Sequence, residues 1–320
     1  MAIILEAIKL LGATEKEVVR EQYFYGLVEK NVLVTGADGQ LGSEIKVLAQ
    51  KVNTPFKFHF TDADILDITS KGEVEEYVKI NHIQYIINCA GYTAVDMAET
   101  DSDKAHEVNV TGVENIASVA KQFGVKVIHI STDFVFDGAS ETAYTEEMTP
   151  NPLSVYGSSK LKGEEALMQM SSDWIIIRTS WLFSEFKSNF VKTMIRLMKQ
   201  KDKLTIVEDE VGTPTYAADL AEMIIHILQL CEKDEWKTGL YHFCNRGEVS
   251  RLEFTKEIKR LAGIKDCEVS GISAKEYGAV AKRPTYSALD PSKIANVFSV
   301  KIPSWEDALE RCIKKNKHIE

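Results

Sequence analysis

The stretch that decides the fold is VLVTGADGQLGSEI at positions 32–45. Its apolar start is followed by Gly36, Gly39 and Gly42 and then by residues of helical character. This order predicts a buried strand, a tight turn and the start of a helix, which is the context of a dinucleotide-binding loop. Glycine lets the backbone approach a pyrophosphate, whose charge is stabilised by the amides at a helix N-terminus. A plain strand-to-helix turn has the same spacing, so further features must decide between the two readings.

Downstream of this loop, short apolar runs alternate with helical patterns, at 56–62, 85–90, 126–132 and 173–180. The alternation predicts an α/β fold with a Rossmann-like doubly wound parallel sheet. After residue 181 the pattern changes to that of a smaller α+β substrate-binding lobe, and the cleft between the lobes is the expected ligand site. The predicted division is a NAD(P)-binding Rossmann domain at 31–180 with a returning helix near 216–232, and a lobe at 181–215 and 233–320.

Composition excludes several classes of protein. The chain has 320 residues, 44% of them hydrophobic, and a formal net charge of -10, so we expect a soluble globular protein that does not bind nucleic acid. No apolar run reaches the roughly 18 residues of a membrane span. The five cysteines lack the CxxC spacing of a zinc site, which favours the reduced cytoplasm, and we predict no metal. Residues 1–30 are predicted to form an N-terminal extension of two short amphipathic helices.

Two acidic residues and one strand end support the dinucleotide reading. Asp62 ends the second strand about 20 residues after Gly42, where a carboxylate accepts the hydroxyls of the adenosine ribose and favours NADH. Asp67 and Ile68 are placed to flank the adenine, although Asp67 is an equally good N-cap for a helix over 69–80. The third strand ends in small or polar residues that leave room for the nicotinamide ribose, namely Ala90, Gly91, Tyr92 and Thr93.

Tyr156 and Lys160 lie four residues apart and therefore on one face of a helix. A free phenol has a pKa of about 10, and we expect the ammonium of Lys160 and an oxidised nicotinamide to lower it. Thr132, at the end of the fourth strand, can donate a hydrogen bond to a ketone oxygen, with Ser131 as its nearest rival. These residues predict a proton-transfer site for carbonyl reduction.

Three later residues are candidates for substrate binding. Trp181 offers a flat apolar face for a 6-deoxysugar, or is a core tryptophan. Asn189 precedes a helix and is a candidate for seating a nucleotide diphosphate. Arg283 can pair with phosphate through two hydrogen bonds, or form a surface salt bridge.

Seven motifs together resemble the extended short-chain dehydrogenase/reductases, and among these the dTDP-4-dehydrorhamnose reductase family. Besides the glycine loop they are NCAGYTAVDMAE, STDFVFDG, YGSSK, RTSWLF, VGTPT and RPTYSALD, in order along the chain. The resemblance implies a catalytic set of Thr132, Tyr156 and Lys160. It places around the cofactor Gly39, Gln40, Leu41, Asp62, Asp67, Ile68, Gly91, Tyr92 and Thr93. It places against the sugar Thr93, Val95, Thr132, Asp133 and Trp181.

The resemblance implies reduction by NADH or NADPH of the C4 ketone of dTDP-4-dehydro-β-L-rhamnose, a small-molecule nucleotide sugar, and is compatible with a homodimer. Two alternatives stay open: reduction of another nucleotide-linked keto sugar, and a non-catalytic role like that of the regulatory subunit of methionine adenosyltransferase. A 4,6-dehydratase is disfavoured, because elimination needs an Asp-Glu pair beside the threonine and Phe134 follows Asp133 here.

Overall fold

The computed structural model describes residues 29–52, 54–231 and 235–316. The helices predicted for the N-terminal extension lie outside these residues, apart from its last two positions. Within the described part of the chain, no helix is both long and apolar enough to cross a membrane.

The secondary structure follows the alternation of the sequence. The strands are β1 (Lys30–Thr35), β2 (Phe56–Phe60), β3 (Ile83–Asn88), β4 (Lys126–Thr132), β5 (Trp174–Thr179), β6 (Leu182–Phe183), β7 (Lys203–Val207), β8 (Val211–Gly212), β9 (Thr215–Tyr216), β10 (Gly239–His242), β11 (Val249–Ser250) and β12 (Glu268–Ile272). The helices are α1 (Gln40–Ala49), α2 (Lys71–Ile80), α3 (Val95–Ala98), α4 (Ser102–His106), α5 (Gly112–Phe123), α6 (Val155–Met170), α7 (Phe190–Gln200), α8 (Ala217–Cys231), α9 (Arg251–Leu261), α10 (Ala274–Tyr277), α11 (Ser292–Val297) and α12 (Trp305–Asn316).

Among the described residues, the large sheet has six strands in the order β10-β5-β4-β3-β1-β2, and its neighbouring strands are parallel. The predicted Rossmann-like sheet is therefore confirmed. The chain runs outward from β1 to β2 on one side and to β3 on the other, so the strand order reverses at β1. In such sheets the carboxyl ends of the strands beside the reversal form a ligand-binding crevice.

Both faces of the large sheet are covered, which is why its strands are apolar runs without a polar face. Val32 and Val34 of β1 face a core that contains α1 and α8, whereas Leu33 between them faces a second core that contains α5. Successive side chains of a strand point to opposite faces, so one strand contributes to both cores. Helix α8 covers the region near 216–232, and its apolar residues pack in the same core as β1.

In the part of the smaller lobe that the structure describes, there are three two-stranded sheets, β6 with β9, β7 with β12 and β8 with β11. Its core joins α7, α9 and α12 around Phe254, which contacts Trp305 and Phe183. The predicted boundary of this lobe needs one correction. Strand β10 pairs with β5 in the large sheet, and Ile294 of α11 packs in the same core as the sheet, although both were assigned to the lobe. Tyr241 of β10 is buried in the same core as the strands of the large sheet, so β10 belongs with the sheet.

Candidate active site

A cavity of about 870 Å³ opens at the carboxyl ends of the large sheet, between the sheet and the smaller lobe. Nearly all predicted site residues line it, although they are spread over most of the chain. They are Gly36, Gly39, Gln40, Leu41, Gly42, Asp62, Asp67, Ile68, Ala90, Gly91, Thr93, Val95, Thr132, Asp133, Tyr156, Lys160, Trp181 and Arg283. Two predicted residues, Tyr92 and Asn189, are outside this lining.

The glycine loop fits a dinucleotide. Gly36 has a φ of +61°, and a Cβ there would lie 2.6 Å from the backbone nitrogen of Ala90. A Cβ at Gly42 would lie 2.5 Å from the Cα of Ala37, so the turn can close this tightly only with glycine. Gly39 is the N-cap of α1 and has no side chain to bond the amides of the first turn. A pyrophosphate can accept hydrogen bonds from those amides at the positive end of the helix.

Asp62 is held at the edge of the cavity by the backbone of the glycine loop. One carboxylate oxygen accepts a hydrogen bond from the Asp38 amide at 3.1 Å, and the other accepts from the Ala63 amide at 2.8 Å. Each carboxylate oxygen can accept more than one hydrogen bond, so capacity remains for ribose hydroxyls.

The alternative reading of Asp67 as a helix N-cap is wrong. Helix α2 begins at Lys71 and its N-cap is Ser70, three residues beyond Asp67. The Asp67 carboxylate instead accepts from the amide and the hydroxyl of Thr69, at 2.9 and 2.8 Å, which forms a local turn. The side chain of Asn115, which sequence reasoning missed, donates to the carbonyls of Ile68 and Thr69 and holds this loop on α5.

Lys160 reaches across the floor of the cavity to β4. Its ammonium donates to the Ile130 carbonyl at 2.6 Å and lies 3.5 Å from Nε2 of His129. His129 is fully buried, and its Nδ1 pairs with the side chain of Asn88, which in turn accepts from Thr35. Burial and the charge of Lys160 hold the pKa of His129 well below its ordinary value. A neutral imidazole therefore lies beneath the lysine, a contact that the sequence did not indicate.

The pKa of Tyr156 moves opposite to expectation. Burial raises it to about 12, and the nearby Thr132 hydroxyl only partly opposes that rise. The expected lowering by the Lys160 ammonium is thus wrong for this structure, because that ammonium bonds to Ile130 and desolvation of the phenol dominates. Phe134 packs edge-on against the Tyr156 ring, with centroids 5.6 Å apart. The phenol is consequently neutral and able to donate its proton.

Thr132 and Asp133 form a bonded pair at the end of β4. The Thr132 hydroxyl donates to a carboxylate oxygen of Asp133 at 3.1 Å and accepts from the Phe134 amide. Burial raises the pKa of Asp133 to about 6. The alternative hydroxyl, that of Ser131, also lines the cavity and has no hydrogen-bond partner among the described residues. Either hydroxyl can therefore serve a carbonyl oxygen, Thr132 after turning away from Asp133.

Lys160 gives a pH dependence that can be measured. Burial lowers its pKa to about 8, so the ammonium is present below pH 8 and is lost as the pH rises through that value. We expect kcat/KM for the dinucleotide to fall about tenfold per pH unit above pH 8, because this parameter follows ionisations of the free enzyme. Lys160→Arg should remove that alkaline limb, while Lys162→Met, exposed on the same helix, should retain it. An unchanged limb in Lys160→Arg would assign the titration to another group.

The smaller lobe contributes an aromatic and cationic wall. The guanidinium of Arg251, which sequence reasoning missed, lies over the Trp181 ring at 3.3 Å from its centroid and over Phe190 at 4.9 Å. Trp181 adopts a positive φ of 45°, and Gly212 packs so closely that a Cβ would lie 2.6 Å from the indole. Trp181 lines the cavity, but the face predicted for a sugar is shared with Arg251.

The other two predicted substrate residues already have protein partners. The Asn189 side chain accepts from the Lys192 amide as the N-cap of α7 and donates to the Ser184 carbonyl, so both ends of its amide are used away from the cavity. The structure does not bring Asn189 to the site. Arg283 donates to Asp96 at 2.7 Å, as the salt-bridge alternative proposed, and still lines the cavity.

Tyr92 supports the site from behind. Its amide donates to the side chain of Asn109, which donates back to the Tyr92 carbonyl and to the hydroxyl of Ser159. The Tyr92 ring packs with Tyr156 in one apolar cluster. This arrangement holds the strand end of β3 against helix α6, and Asn109 lies in a π-helical turn whose role could not be read from spacing.

Comparison with known proteins agrees with this geometry. Residues 30–318 match the family model of the RmlD substrate binding domain. The dTDP-4-dehydrorhamnose reductase of Aggregatibacter actinomycetemcomitans is 39% identical over 285 residues, which are 87% of this chain and 97% of that protein. The dTDP-4-keto-6-deoxy-D-glucose reductase of Streptomyces niveus is 31% identical over 87% of this chain and 94% of that protein.

Among solved structures, the dTDP-4-dehydrorhamnose reductase of Bacillus anthracis in complex with NADP superposes with a TM-score of 0.84 at 37% identity. The match covers 90% of this chain and 99% of the other. The expected superfamily fold and family are both confirmed. With its parallel sheet, its glycine loop and a match that runs from residue 30 almost to the end, this chain belongs to the RmlD family of dTDP-4-dehydrorhamnose reductases.

Proposed function

We propose that this chain reduces the C4 ketone of dTDP-4-dehydro-β-L-rhamnose to the alcohol of dTDP-β-L-rhamnose, using NADH or NADPH. One observation carries the proposal: Thr132, Tyr156 and Lys160 line the same cavity as the glycine loop. The names of the relatives support this substrate, and the NADP in the Bacillus anthracis structure supports the cofactor.

In this mechanism each residue has a separate task. The hydroxyl of Thr132 donates a hydrogen bond to the ketone oxygen, which polarises the carbonyl. Tyr156, kept neutral by burial, gives its proton to the same oxygen as the alcohol forms. Lys160, whose ammonium donates to the Ile130 carbonyl, holds the ribose hydroxyls beside the reacting carbon. The reduced nicotinamide, when bound, supplies the hydride.

The cofactor is held by three regions of the cavity. The amides at the start of α1, with Gly39, Gln40 and Leu41, receive the pyrophosphate. Asp62 receives the adenosine ribose, and Asp67 and Ile68 flank the adenine. Ala90, Gly91 and Thr93 leave space for the nicotinamide half, with Tyr92 supporting them from behind.

Asp62→Ala should weaken binding of NADH more than that of NADPH. The carboxylate accepts hydrogen bonds from a free 2′-hydroxyl but repels a 2′-phosphate, so its removal costs only NADH a favourable contact. We expect the dissociation constant of NADH to rise about tenfold, the typical effect of a lost hydrogen bond to a charged group, and that of NADPH to change less. Fluorescence titration of both dinucleotides measures this. Equal weakening of the two would place the ribose elsewhere.

The reaction itself is tested with dTDP-4-keto-6-deoxyglucose, NADPH or NADH, and identification of the sugar formed. With the 3,5-epimerase present, we expect dTDP-rhamnose and stoichiometric oxidation of the cofactor. Without the epimerase, we expect little oxidation.

A second candidate is favoured by the Streptomyces niveus relative, whose name assigns reduction of the unepimerised sugar to that protein. Rapid oxidation without the epimerase would support this candidate instead. No oxidation in either arm would contradict both reductase assignments and would favour the non-catalytic role of a regulatory subunit.

We further propose that the enzyme acts in the cytoplasm, where its nucleotide-sugar substrate is dissolved, and that it forms a homodimer. Light scattering of the purified chain tests the homodimer.

A further inference from the structure

The charged residues of the cavity are unevenly distributed. Among the described residues that line it, the cations are Lys104, Lys160, Lys187, Arg251 and Arg283. Lys187 also borders a smaller cavity with Asp62 and Asp64, at the end where the adenosine ribose is proposed to bind. Lys104 forms an ion pair with Glu107 at 2.8 Å, and the charges of Glu107 and Asp67 raise its pKa. Lys160 lies on the floor. Among the described lining residues, Arg251 and Arg283 are therefore the cations left to bind an anion away from the adenosine ribose.

These two arginines differ in their partners. Arg283 is neutralised by Asp96, whose carboxylate accepts from it at 2.7 Å. Arg251 has its nearest carboxylate in Glu210, at 3.8 Å from Nε, which is beyond hydrogen-bond distance. Within the described part of the chain, no hydrogen bond from the Arg251 guanidinium is formed, and its side chain keeps 19% of its surface accessible. A cation this enclosed and this poorly paired is costly unless an anion joins it.

The rings of Trp181 and Phe190 hold Arg251 in place without forming hydrogen bonds to its N–H groups. Its guanidinium lies 3.3 Å from the centre of the Trp181 ring and 4.9 Å from that of Phe190, and both rings line the cavity. The N–H groups of a guanidinium lie in its own plane, so contact with an aromatic face leaves them free for a planar or bidentate acceptor. Phosphate oxygens are the acceptors that this geometry suits best.

The position of Arg251 on its helix points the same way. It is the first residue of α9, where the helix dipole is positive and a cation is unfavourable. An anion at this end would be attracted by the dipole and by the guanidinium together. Asp133, which is part of the reacting end of the cavity, is close enough for the charge of Arg251 to lower its pKa. Arg251 lines the same cavity as Thr132 and Tyr156, so an anion bound by Arg251 would share that cavity with the site of reduction.

We infer that Arg251 binds the diphosphate of the nucleotide sugar, with its guanidinium held flat against Trp181 and Phe190. This inference rests on the proposed function, which supplies a diphosphate attached to the sugar that is reduced. It gives Arg251 the larger share of a task that the sequence suggested for Arg283, since Arg283 is already paired with Asp96.

The test is direct binding of dTDP to the full chain saturated with NADP⁺, measured by isothermal titration calorimetry. We expect Arg251→Gln to weaken dTDP binding by about 10- to 100-fold, the usual consequence of losing hydrogen bonds to a charged group. Arg251→Lys retains the positive charge but not the planar guanidinium. Its affinity for dTDP should lie between those of the wild type and Arg251→Gln. Arg260→Gln, on the same helix and 68% exposed, is the matched control and should bind dTDP normally.

The affinity for NADP⁺ separates binding from folding, because its pyrophosphate is proposed to lie at the glycine loop. NADP⁺ binding should stay within twofold in all variants. Unchanged dTDP binding in Arg251→Gln would overturn the inference, as would an equal loss of dTDP and NADP⁺, or a larger loss of dTDP from Arg283→Gln.

No turnover is needed, so the inference and the proposed function can fail separately. A chain that binds dTDP through Arg251 but does not reduce the keto sugar would contradict only the proposed function. UDP serves as a second probe for a different base preference. A wild-type chain that binds neither nucleoside diphosphate would overturn the inference.

Discussion

Tyr156→Phe should lower kcat by at least about 100-fold while leaving dinucleotide binding intact. The substitution removes one oxygen, and with it the only proton that this side chain can give to the ketone oxygen; loss of a general acid typically costs this much. The ring is retained, so its edge-on contact with Phe134 and its place in the apolar cluster should persist. Stopped-flow measurement of single turnovers, together with fluorescence titration of NADPH, separates the chemical step from binding.

Two outcomes would contradict this role of Tyr156. Turnover within a few-fold of wild type would show that another group, such as water, protonates the oxygen. A parallel loss of NADPH binding would show that the hydroxyl positions the cofactor rather than the proton. Tyr92→Phe is a matched control, because its hydroxyl is buried beside Tyr156 but Tyr92 lies outside the lining of the cavity.

Glu164→Gln should be strongly destabilising, although it changes a single atom of a side chain that does not line the cavity. Glu164 and Arg178 are both nearly inaccessible, with 0% and 2% of their side chains exposed, and the guanidinium donates to the carboxylate at 2.6 and 2.9 Å. Removing the negative charge leaves Arg178 buried without compensation, which costs about 3–5 kcal/mol. The midpoint of urea denaturation measures this loss. Glu165→Gln, exposed and next in sequence, should leave the midpoint unchanged.

The same substitution connects stability with catalysis. Glu164 lies one helical turn after Lys160, and its charge raises the pKa of that lysine against the effect of burial. In the folded fraction of Glu164→Gln, the alkaline limb of kcat/KM should therefore move below pH 8. A normal urea midpoint would contradict the predicted loss of stability and would mean that Arg178 finds another partner. If the alkaline limb is shifted all the same, the predicted effect of Glu164 on the pKa of Lys160 would still hold.

The large sheet could be predicted because most of its strands are apolar runs that can be recognised from a few consecutive residues. The apolar run at 126–132 coincides with β4, and the glycines after β1 lie where a turn and a helix start demand them. Strand β10 could not be assigned in this way. It is only four residues long, and it joins the sheet because α8 carries the chain back beside β5, a long-range event that leaves no local pattern.

The proposed catalytic pair illustrates both what residue spacing can predict and what it cannot. Tyr156 and Lys160 are neighbours on α6 for any sequence that is helical there, so their shared face was predictable. Their proton affinities were not, because these depend on burial and on the atoms opposite. The pKa of Tyr156 rises where a fall was expected, and Lys160 bonds to Ile130 instead of facing the phenol alone.

By itself, the sequence determined the class of fold and predicted the dinucleotide loop and the candidate reacting side chains, since each depends on residues within one turn of helix or one strand. Only the tertiary structure decided which of the two arginines is closely paired with a carboxylate, that Asn189 caps a helix, and that a buried histidine lies under Lys160. These depend on pairs far apart in the chain and on removal of water from charged groups, and neither is encoded in local spacing.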